Sequence, residues 1–289
     1  MTNIKQLTVI SGKGGTGKTS IVGAFACLAK DKVLADCDVD AADLHLLLHP
    51  STVEEQDFKA MKTARIDDSK CIQCGRCVEE CRFQAIKDFH VEALLCEGCG
   101  VCRLVCPNDA VILEDTLGGK AYVSDTRYGP LCHARLSPGE EASGKLVTLV
   151  RGNAKKIAEE KGLELIIIDG SPGIGCPVIA SIGGVDLALI ITEPTLSGIH
   201  DLERILAVVG HFNVEAMVCI NKYDINPGKT RKIEEYCRKR DIILAGKIPY
   251  NIAFTKAMVE GKTITEYADD GLNETIKEIW TNIDQRLRQ

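Results

Sequence analysis

Short apolar runs alternate along the chain with segments whose apolar residues recur at helical spacing. The first run, residues 4–10, precedes a glycine-rich loop and a helical pattern over 21–30. Residues 165–168 form a continuous apolar run, as a strand buried on both faces requires. Further strand–helix units begin at residues 187–191, 216–220 and 242–247. The pattern predicts an α/β fold with a mostly parallel sheet flanked by helices.

A cysteine-rich stretch interrupts this pattern. The run Cys-x2-Cys-x2-Cys-x3-Cys occurs twice, first as Cys71, Cys74, Cys77 and Cys81 and then as Cys96, Cys99, Cys102 and Cys106. It resembles the run of bacterial two-cluster ferredoxins, in which each fourth cysteine binds the other cluster. The resemblance implies two 4Fe-4S clusters, one on Cys71, Cys74, Cys77 and Cys106 and one on Cys96, Cys99, Cys102 and Cys81. Paired Cys-x2-Cys motifs also build four-thiolate zinc sites, so zinc stays an alternative.

The loop after the first strand carries a phosphate-binding motif. Residues 11–20 fit G-x-x-x-x-G-K-[ST], and the loop stands between a predicted strand and a predicted helix. Glycines let backbone N–H groups point at phosphate oxygens near a helix N-terminus. Lys18 is expected to reach the β- and γ-phosphates of ATP, and Thr19 to bind Mg²⁺. The predicted nucleotide-binding residues of this loop are Gly12, Lys13, Gly14, Gly15, Thr16, Gly17, Lys18, Thr19 and Ser20.

The position of Lys13 suggests a family. Residues 13–19 resemble the deviant phosphate loop of the MinD/ParA/nitrogenase-iron-protein superfamily of P-loop ATPases. In that family the additional lysine crosses a dimer interface to the partner's nucleotide. The resemblance therefore implies a P-loop NTPase fold and an ATP-dependent homodimer.

The same resemblance assigns residues at the ends of later strands. Asp38, within the acidic segment 36–40, matches the aspartate that orients the attacking water. Asp169 matches the carboxylate linked to magnesium. Asn221 and Pro249 match adenine-contacting positions, although asparagine is also typical of ordinary turns. The predicted catalytic residues are Lys13, Lys18 and Asp38.

Composition restricts the partners and the compartment. The formal net charge of −6 argues against nucleic acid as a main partner. Residues 1–6 lack the apolar region of a signal peptide, and no apolar run approaches the length of a membrane span. We therefore expect a cytoplasmic protein whose cysteines bind metal rather than form disulfides. The amphipathic pattern over 272–287 has a mixed-charge polar face, which favours packing on the core and makes membrane binding unlikely.

These observations predict an inserted domain. Residues 1–63 and 117–289 form the two parts of the P-loop ATPase, and residues 64–116 form a bacterial-type ferredoxin domain of the α+β class. The predicted function is ATP binding and hydrolysis, with the nucleotide state coupled to electron transfer to a redox partner protein. Two alternatives are an ATPase that assembles iron–sulfur or other metal cofactors, and a redox-sensing MinD-like positioning ATPase.

Overall fold

Strands and helices alternate along the chain, as the apolar pattern predicts. The computed structural model describes residues 4–137 and 143–289. Its strands are β1 Lys5–Ser11, β2 Lys32–Asp36, β3 Ser51–Ile66, β4 Ile86–Lys87, β5 His90–Val91, β6 Val111–Thr126, β7 Gly129–Leu136, β8 Leu165–Pro172, β9 Leu187–Thr192, β10 Glu215–Asn221 and β11 Ile243–Ile248. Its helices are α1 Lys18–Leu28, α2 Leu44–Leu48, α3 Arg76–Glu79, α4 Val101–Leu104, α5 Ser143–Lys161, α6 Cys176–Ile182, α7 Leu196–His211, α8 Pro227–Lys239, α9 Ala253–Val259, α10 Ile264–Tyr267 and α11 Asp270–Leu287.

One large sheet organises the fold. In the described residues its strand order is β11-β10-β9-β1-β8-β2-β7-β6-β3, and the neighbouring pairs from β11 to β7 are parallel. Strand β1 lies between β8 and β9, so the loop after β1 opens at the edge where the carboxyl ends of these strands meet. Ligands of open parallel sheets bind at this edge. The topology therefore places the phosphate-binding motif where an α/β protein binds its ligand.

Apolar cores lie on both faces of this sheet. On one face, Leu7 and Ile167 belong to a buried cluster with Phe25 of α1. On the other face, Ile190 belongs to a buried cluster with Leu202 of α7. Because helices cover both faces, the central strands are continuously apolar, which is the signal that the sequence analysis used.

The last helix completes the first of these cores. The apolar positions of α11 are all buried, and they are Leu272, Ile276, Ile279, Trp280, Ile283 and Leu287. The rings of Phe25 and Trp280 pack at a tilt of 44°, with their centroids 5.1 Å apart. The apolar face of α11 is therefore occupied by contacts within the chain.

Strands β3, β6 and β7 form where the apolar pattern predicted no strand. Strand β3 stands last in the sheet order, and its residues 51–57 are all exposed. A strand that buries few side chains has no need of apolar alternation, so its sequence carried no signal.

The chain divides into two compact units. The first comprises residues 4–56, 121–135 and 143–289, and the second comprises residues 57–120 with 136 and 137. Strands β3 and β6 each contribute residues to both units. The second unit has a small core of its own, in which Ala64, Ile86 and Val111 are buried together with Cys77 and Cys102.

Candidate functional site

The phosphate loop joins β1 to α1 with little free space around its fixed glycines. Gly17 precedes α1 with a φ of +93°, and a Cβ there would lie 2.6 Å from Nδ2 of Asn221. A Cβ on Gly12 would lie 2.4 Å from Cβ of Asp201. Both glycines are thus required by close neighbours as well as by the phosphate motif.

Side chains at the end of β10 hold this loop. The Nδ2 group of Asn221 donates to the carbonyl of Thr16 at 2.8 Å, and Nζ of Lys222 donates to the carbonyl of Gly15 at 3.3 Å. Asn221, which was predicted to contact adenine, is buried, and its amide supports the phosphate loop. Pro249, the second predicted adenine contact, follows β11 and is half-buried.

Lys18 points into a buried acidic region. The residue is 6% exposed, and its Nζ lies 4.0 Å from Oδ2 of Asp38. Burial raises the pKa of the Asp38 carboxyl, and the charge of Lys18 opposes that rise. The structure therefore brings together Lys18 and Asp38, two of the three predicted catalytic residues.

Asp169 is the least satisfied carboxylate of the site. It is fully buried, and neither of its oxygens has a hydrogen-bond partner among the described residues. Burial raises the pKa of Asp169 to about 7, and the charge of Lys18 opposes that rise. The Thr16 hydroxyl is also buried without a partner in the described chain. Unsatisfied buried oxygens beside a phosphate loop fit a hard cation such as Mg²⁺.

The side chains of two further residues of the motif contact residues outside the loop. The hydroxyl of Ser20 donates to Sδ of Met258 at 3.4 Å. The ammonium of Lys13 forms an ion pair with Glu193 and donates to the Ser197 hydroxyl at 3.1 Å. Lys13 is therefore engaged within its own chain.

Sequence reasoning missed Glu193 entirely. It follows the last residue of β9, at the same edge of the sheet as the phosphate loop. The available signal was an acidic residue two positions after the apolar run 187–191, which forms the strand beside β1.

The eight motif cysteines fall into two groups in the second unit. One cavity is lined by Cys71, Cys74, Cys77 and Cys106, and another by Cys81, Cys96, Cys99 and Cys102. Each group thus contains three cysteines of one motif and the fourth cysteine of the other. Each surrounds a cavity, and no three His, Cys, Asp or Glu side chains of the described residues converge on a single metal-ion position.

The two halves of this unit repeat the same backbone features 25 residues apart. Gly75 and Gly100 precede α3 and α4 with φ values of +81° and +78°. Gln73 and Gly98 also share positive φ, and a Cβ on Gly98 would lie 2.0 Å from the carbonyl oxygen of Lys62. The internal repeat of the sequence is therefore a repeat of conformation.

Backbone N–H groups donate to several of these sulfurs. Ala85 donates to Sγ of Cys81 at 3.3 Å, and the equivalent Ala110 donates to Sγ of Cys106 at 3.2 Å. Ala64 donates to Sγ of Cys96 at 3.4 Å. Such bonds stabilise thiolates and the clusters that thiolates bind. Four thiols around one cavity, with N–H donors to their sulfurs, are a donor set that fits an iron–sulfur cluster.

Most of the other cysteines are packed in the first unit. Cys37, Cys132, Cys219 and Cys237 are buried, Cys27 is half-buried, and Cys176 is exposed. Burial raises the pKa of the Cys219 thiol to about 12. The buried thiols among them are therefore small apolar side chains in this structure.

Comparisons with known proteins agree with this architecture. The family model of the CobQ/CobB/MinD/ParA nucleotide binding domain matches residues 7–264. The chain is 35% identical over 287 residues to the uncharacterized protein MJ0578 of Methanocaldococcus jannaschii, covering 97% of this chain and 96% of that protein.

Two solved structures illustrate the likeness in fold. The septum site-determining protein MinD from Pyrococcus horikoshii OT3, complexed with Mg-ADP, superposes with a TM-score of 0.61 at 15% identity, covering 98% of this chain and 96% of that one. A variant of McdA from Cyanothece in complex with ATP has a TM-score of 0.61 at 17% identity, with 98% of both chains covered. Within the described part of the chain, no helix is both long and apolar enough to cross a bilayer.

Proposed function

Because the chain belongs to the CobQ/CobB/MinD/ParA nucleotide binding domain family, we propose that it is an ATPase that couples its nucleotide state to electron transfer through two 4Fe-4S clusters. The observation that carries the proposal is the grouping of eight cysteines around two cavities in a chain that also has a phosphate loop. The electrons pass to a redox partner protein.

The ATPase half rests on the residues around the phosphate loop. Backbone N–H groups of the loop bind the phosphates, and Lys18 neutralises charge that moves onto their oxygens. Asp169 and Thr19 hold Mg²⁺, which supplies further charge neutralisation when bound. Asp38 lies beside Lys18 and orients the water that attacks the terminal phosphate.

The redox half rests on the cysteine groups. Cys71, Cys74, Cys77 and Cys106 hold one cluster, and Cys96, Cys99, Cys102 and Cys81 hold the other. A 4Fe-4S cluster supplies one-electron transfer when bound. The N–H groups of Ala64, Ala85 and Ala110 adjust the reduction potential through their bonds to the sulfurs.

We further propose that ATP brings two chains together. Two triphosphates that face each other across an interface need fixed positive charge between them, and Lys13 is the additional lysine that provides it. Each site is then completed by Lys13 of the partner chain.

Two observations favour electron transfer over the alternatives. Cys219 and Cys237 are buried and separate in sequence, so they are poor candidates for an exchangeable cluster site of the assembly type. The apolar face of α11 is buried within the chain, so the redox-sensing MinD-like positioning ATPase has its support in the family likeness and not in this helix.

Metal analysis and ATPase assays on anaerobically purified protein test the two halves separately. We expect about eight iron and eight sulfide ions per chain, with a paramagnetic resonance signal after reduction. Cys176→Ser is the matched control and should keep all the iron, because Cys176 lies outside both groups. Zinc without a reducible signal contradicts the redox half, and iron without ATP hydrolysis contradicts the ATPase half.

A further inference from the structure

Glu193 lies between two lysines that come from neighbouring strands. Its Oε1 pairs with Nζ of Lys13, from the loop after β1, and its Oε2 lies 3.2 Å from Nζ of Lys222, at the end of β10. Strand β9, which Glu193 follows, is hydrogen-bonded to both β1 and β10. The carboxylate therefore bridges the two elements that flank its own strand.

The three residues form a closed ionic network at the phosphate loop. Lys13 also approaches the hydroxyls of Ser197 and Thr195, at 3.1 and 3.5 Å. Glu193 is 8% exposed, and although burial alone would raise the pKa of its carboxyl, hydrogen bonds from both lysines lower it. A carboxylate that is buried and charged needs these partners, because an unpaired charge in such a place is strongly unfavourable.

The ammonium of Lys13 thus has an anionic partner in its own chain. A second anionic partner, the nucleotide of another chain, competes for the same three N–H donors. We propose that Glu193 is a positioning residue that retains Lys13 within its own chain, and that release of Lys13 from Glu193 controls formation of the ATP-bound dimer. The inference rests on the proposed function, in which Lys13 reaches the partner's nucleotide.

Lys222 favours the release of Lys13, whereas Glu193 opposes it. When Lys13 leaves, Lys222 stays paired with Glu193 and prevents an uncompensated buried charge. Removal of the Glu193 charge should favour release of Lys13, whereas removal of the Lys222 charge should oppose it. The two substitutions therefore change dimerisation in opposite directions, which a general loss of structure does not do.

The test is the dimer dissociation constant of the full-length holoprotein with Mg²⁺ and a non-hydrolysable ATP analogue, measured by sedimentation. Glu193→Gln should tighten the dimer about 5- to 10-fold, and Lys222→Met should weaken it by a similar factor. Glu203→Gln, an exposed acid on α7, is the matched control and should change nothing. ADP binding by the monomer checks that each variant is folded.

A double variant tests whether the effect of Glu193 acts through Lys13. Lys13→Ala/Glu193→Gln should dimerise as poorly as Lys13→Ala alone. If the wild-type chain dimerises and Glu193→Gln does not tighten the dimer, the role of Glu193 is wrong and the proposed dimer stands. If the wild-type chain stays monomeric with the analogue, the proposed dimer is wrong and this inference is wrong with it.

Discussion

Asp36 and Asp169 occupy opposing register positions on the neighbouring strands β2 and β8, and both are fully buried. Asp36 accepts hydrogen bonds from the N–H groups of Asp38 and Leu44, both at 3.2 Å. Asp169 has no partner on either oxygen among the described residues. Two adjacent carboxylates therefore differ in role, because Asp36 orders the segment after β2 while Asp169 is free to bind a cation.

Asp169→Asn is predicted to abolish magnesium-dependent ATP hydrolysis. The amide keeps the shape of the side chain but removes the negative charge that favours Mg²⁺, so we expect kcat to fall by about 100-fold or more. Asp186→Asn is the control and should keep the wild-type rate, because Asp186 precedes β9 at the edge of the sheet opposite the phosphate loop. Hydrolysis at different Mg²⁺ concentrations measures the effect, and a normal magnesium dependence in Asp169→Asn contradicts the assignment.

The sequence predicted the parts of the site that local motifs encode. The phosphate loop was found because strand, glycines, Lys18 and helix follow one another within a short stretch. The support of this loop by Asn221 joins residues 205 positions apart, and no local pattern reveals such a contact. The ion pair of Lys13 with Glu193 was missed for the same reason, since it depends on the adjacency of β1 and β9.

The order of the strands in the sheet could not be predicted from the sequence either. The apolar runs indicated which central segments form strands, because those segments are buried on both faces. Strand β3 buries few side chains, so neither its length nor its place at the end of the sheet order could be read from its composition.

Lys13→Ala is predicted to separate nucleotide binding from hydrolysis. Lys18 and the loop remain in place, so the affinity for ATP should change by less than about threefold, while ATP-dependent dimerisation and hydrolysis are lost. Lys30→Ala, which removes an exposed lysine beyond α1, is the control. Equilibrium binding measures the affinity for ATP, and light scattering with ATP measures dimerisation. A Lys13→Ala variant that dimerises normally would contradict a nucleotide site completed by the partner chain.

Paired cysteine substitutions test the exchange of the fourth ligand between the two motifs. Cys81→Ser should lower the iron content from about eight to about four per chain. Adding Cys96→Ser should remove no further iron, because Cys81 and Cys96 line the same cavity, whereas adding Cys71→Ser should remove nearly all of it. If adding Cys96→Ser removed the remaining iron and adding Cys71→Ser removed none, each motif would bind its own cluster.

His133 is predicted to make the stability of the first unit depend on pH. Its ring stacks with those of Tyr122 and His45, at centroid distances of 5.0 and 6.2 Å, and its Nε2 lies 3.1 Å from the Ser124 hydroxyl. Burial, followed by the nearby charges of His45 and Arg135, lowers the pKa of His133 from 6.5 to about 4.

The unfolded chain protonates the His133 imidazole below a pH of 6.5, whereas the folded chain does so only near pH 4. Lowering the pH through this range therefore stabilises the unfolded state relative to the folded state. Between pH 7.5 and 5.5 the free energy of unfolding should therefore fall by about 1 kcal/mol through this group. Urea unfolding of the wild type, His133→Phe and the control His211→Gln measures the difference. His133→Phe should lose this part of the pH dependence, and an unchanged dependence in that variant contradicts the assignment.

Nucleotide binding at the phosphate loop is expected to change the redox properties of the cysteine unit. In the chain, the cysteine unit lies between Asp38 and Asp169, and strands β3 and β6 pass from one unit into the other. In the proposed function, binding of ATP and Mg²⁺ should order the segments at both carboxylates, which precede and follow the cysteine unit in the chain. The solvent exposure and hydrogen bonds that set the cluster potentials should then change with the nucleotide state.

A redox titration of the holoprotein with and without a non-hydrolysable ATP analogue measures this coupling. Coupling of ordinary size corresponds to a factor of about 5 to 150 in affinity, which for a one-electron couple is a shift of about 40 to 130 mV. Because linkage is reciprocal, the reduced and oxidised protein should differ in analogue affinity by the same factor. We predict that both differences are found and agree. Equal potentials together with equal affinities would overturn the proposed coupling, because the cysteine unit would then be independent of the nucleotide.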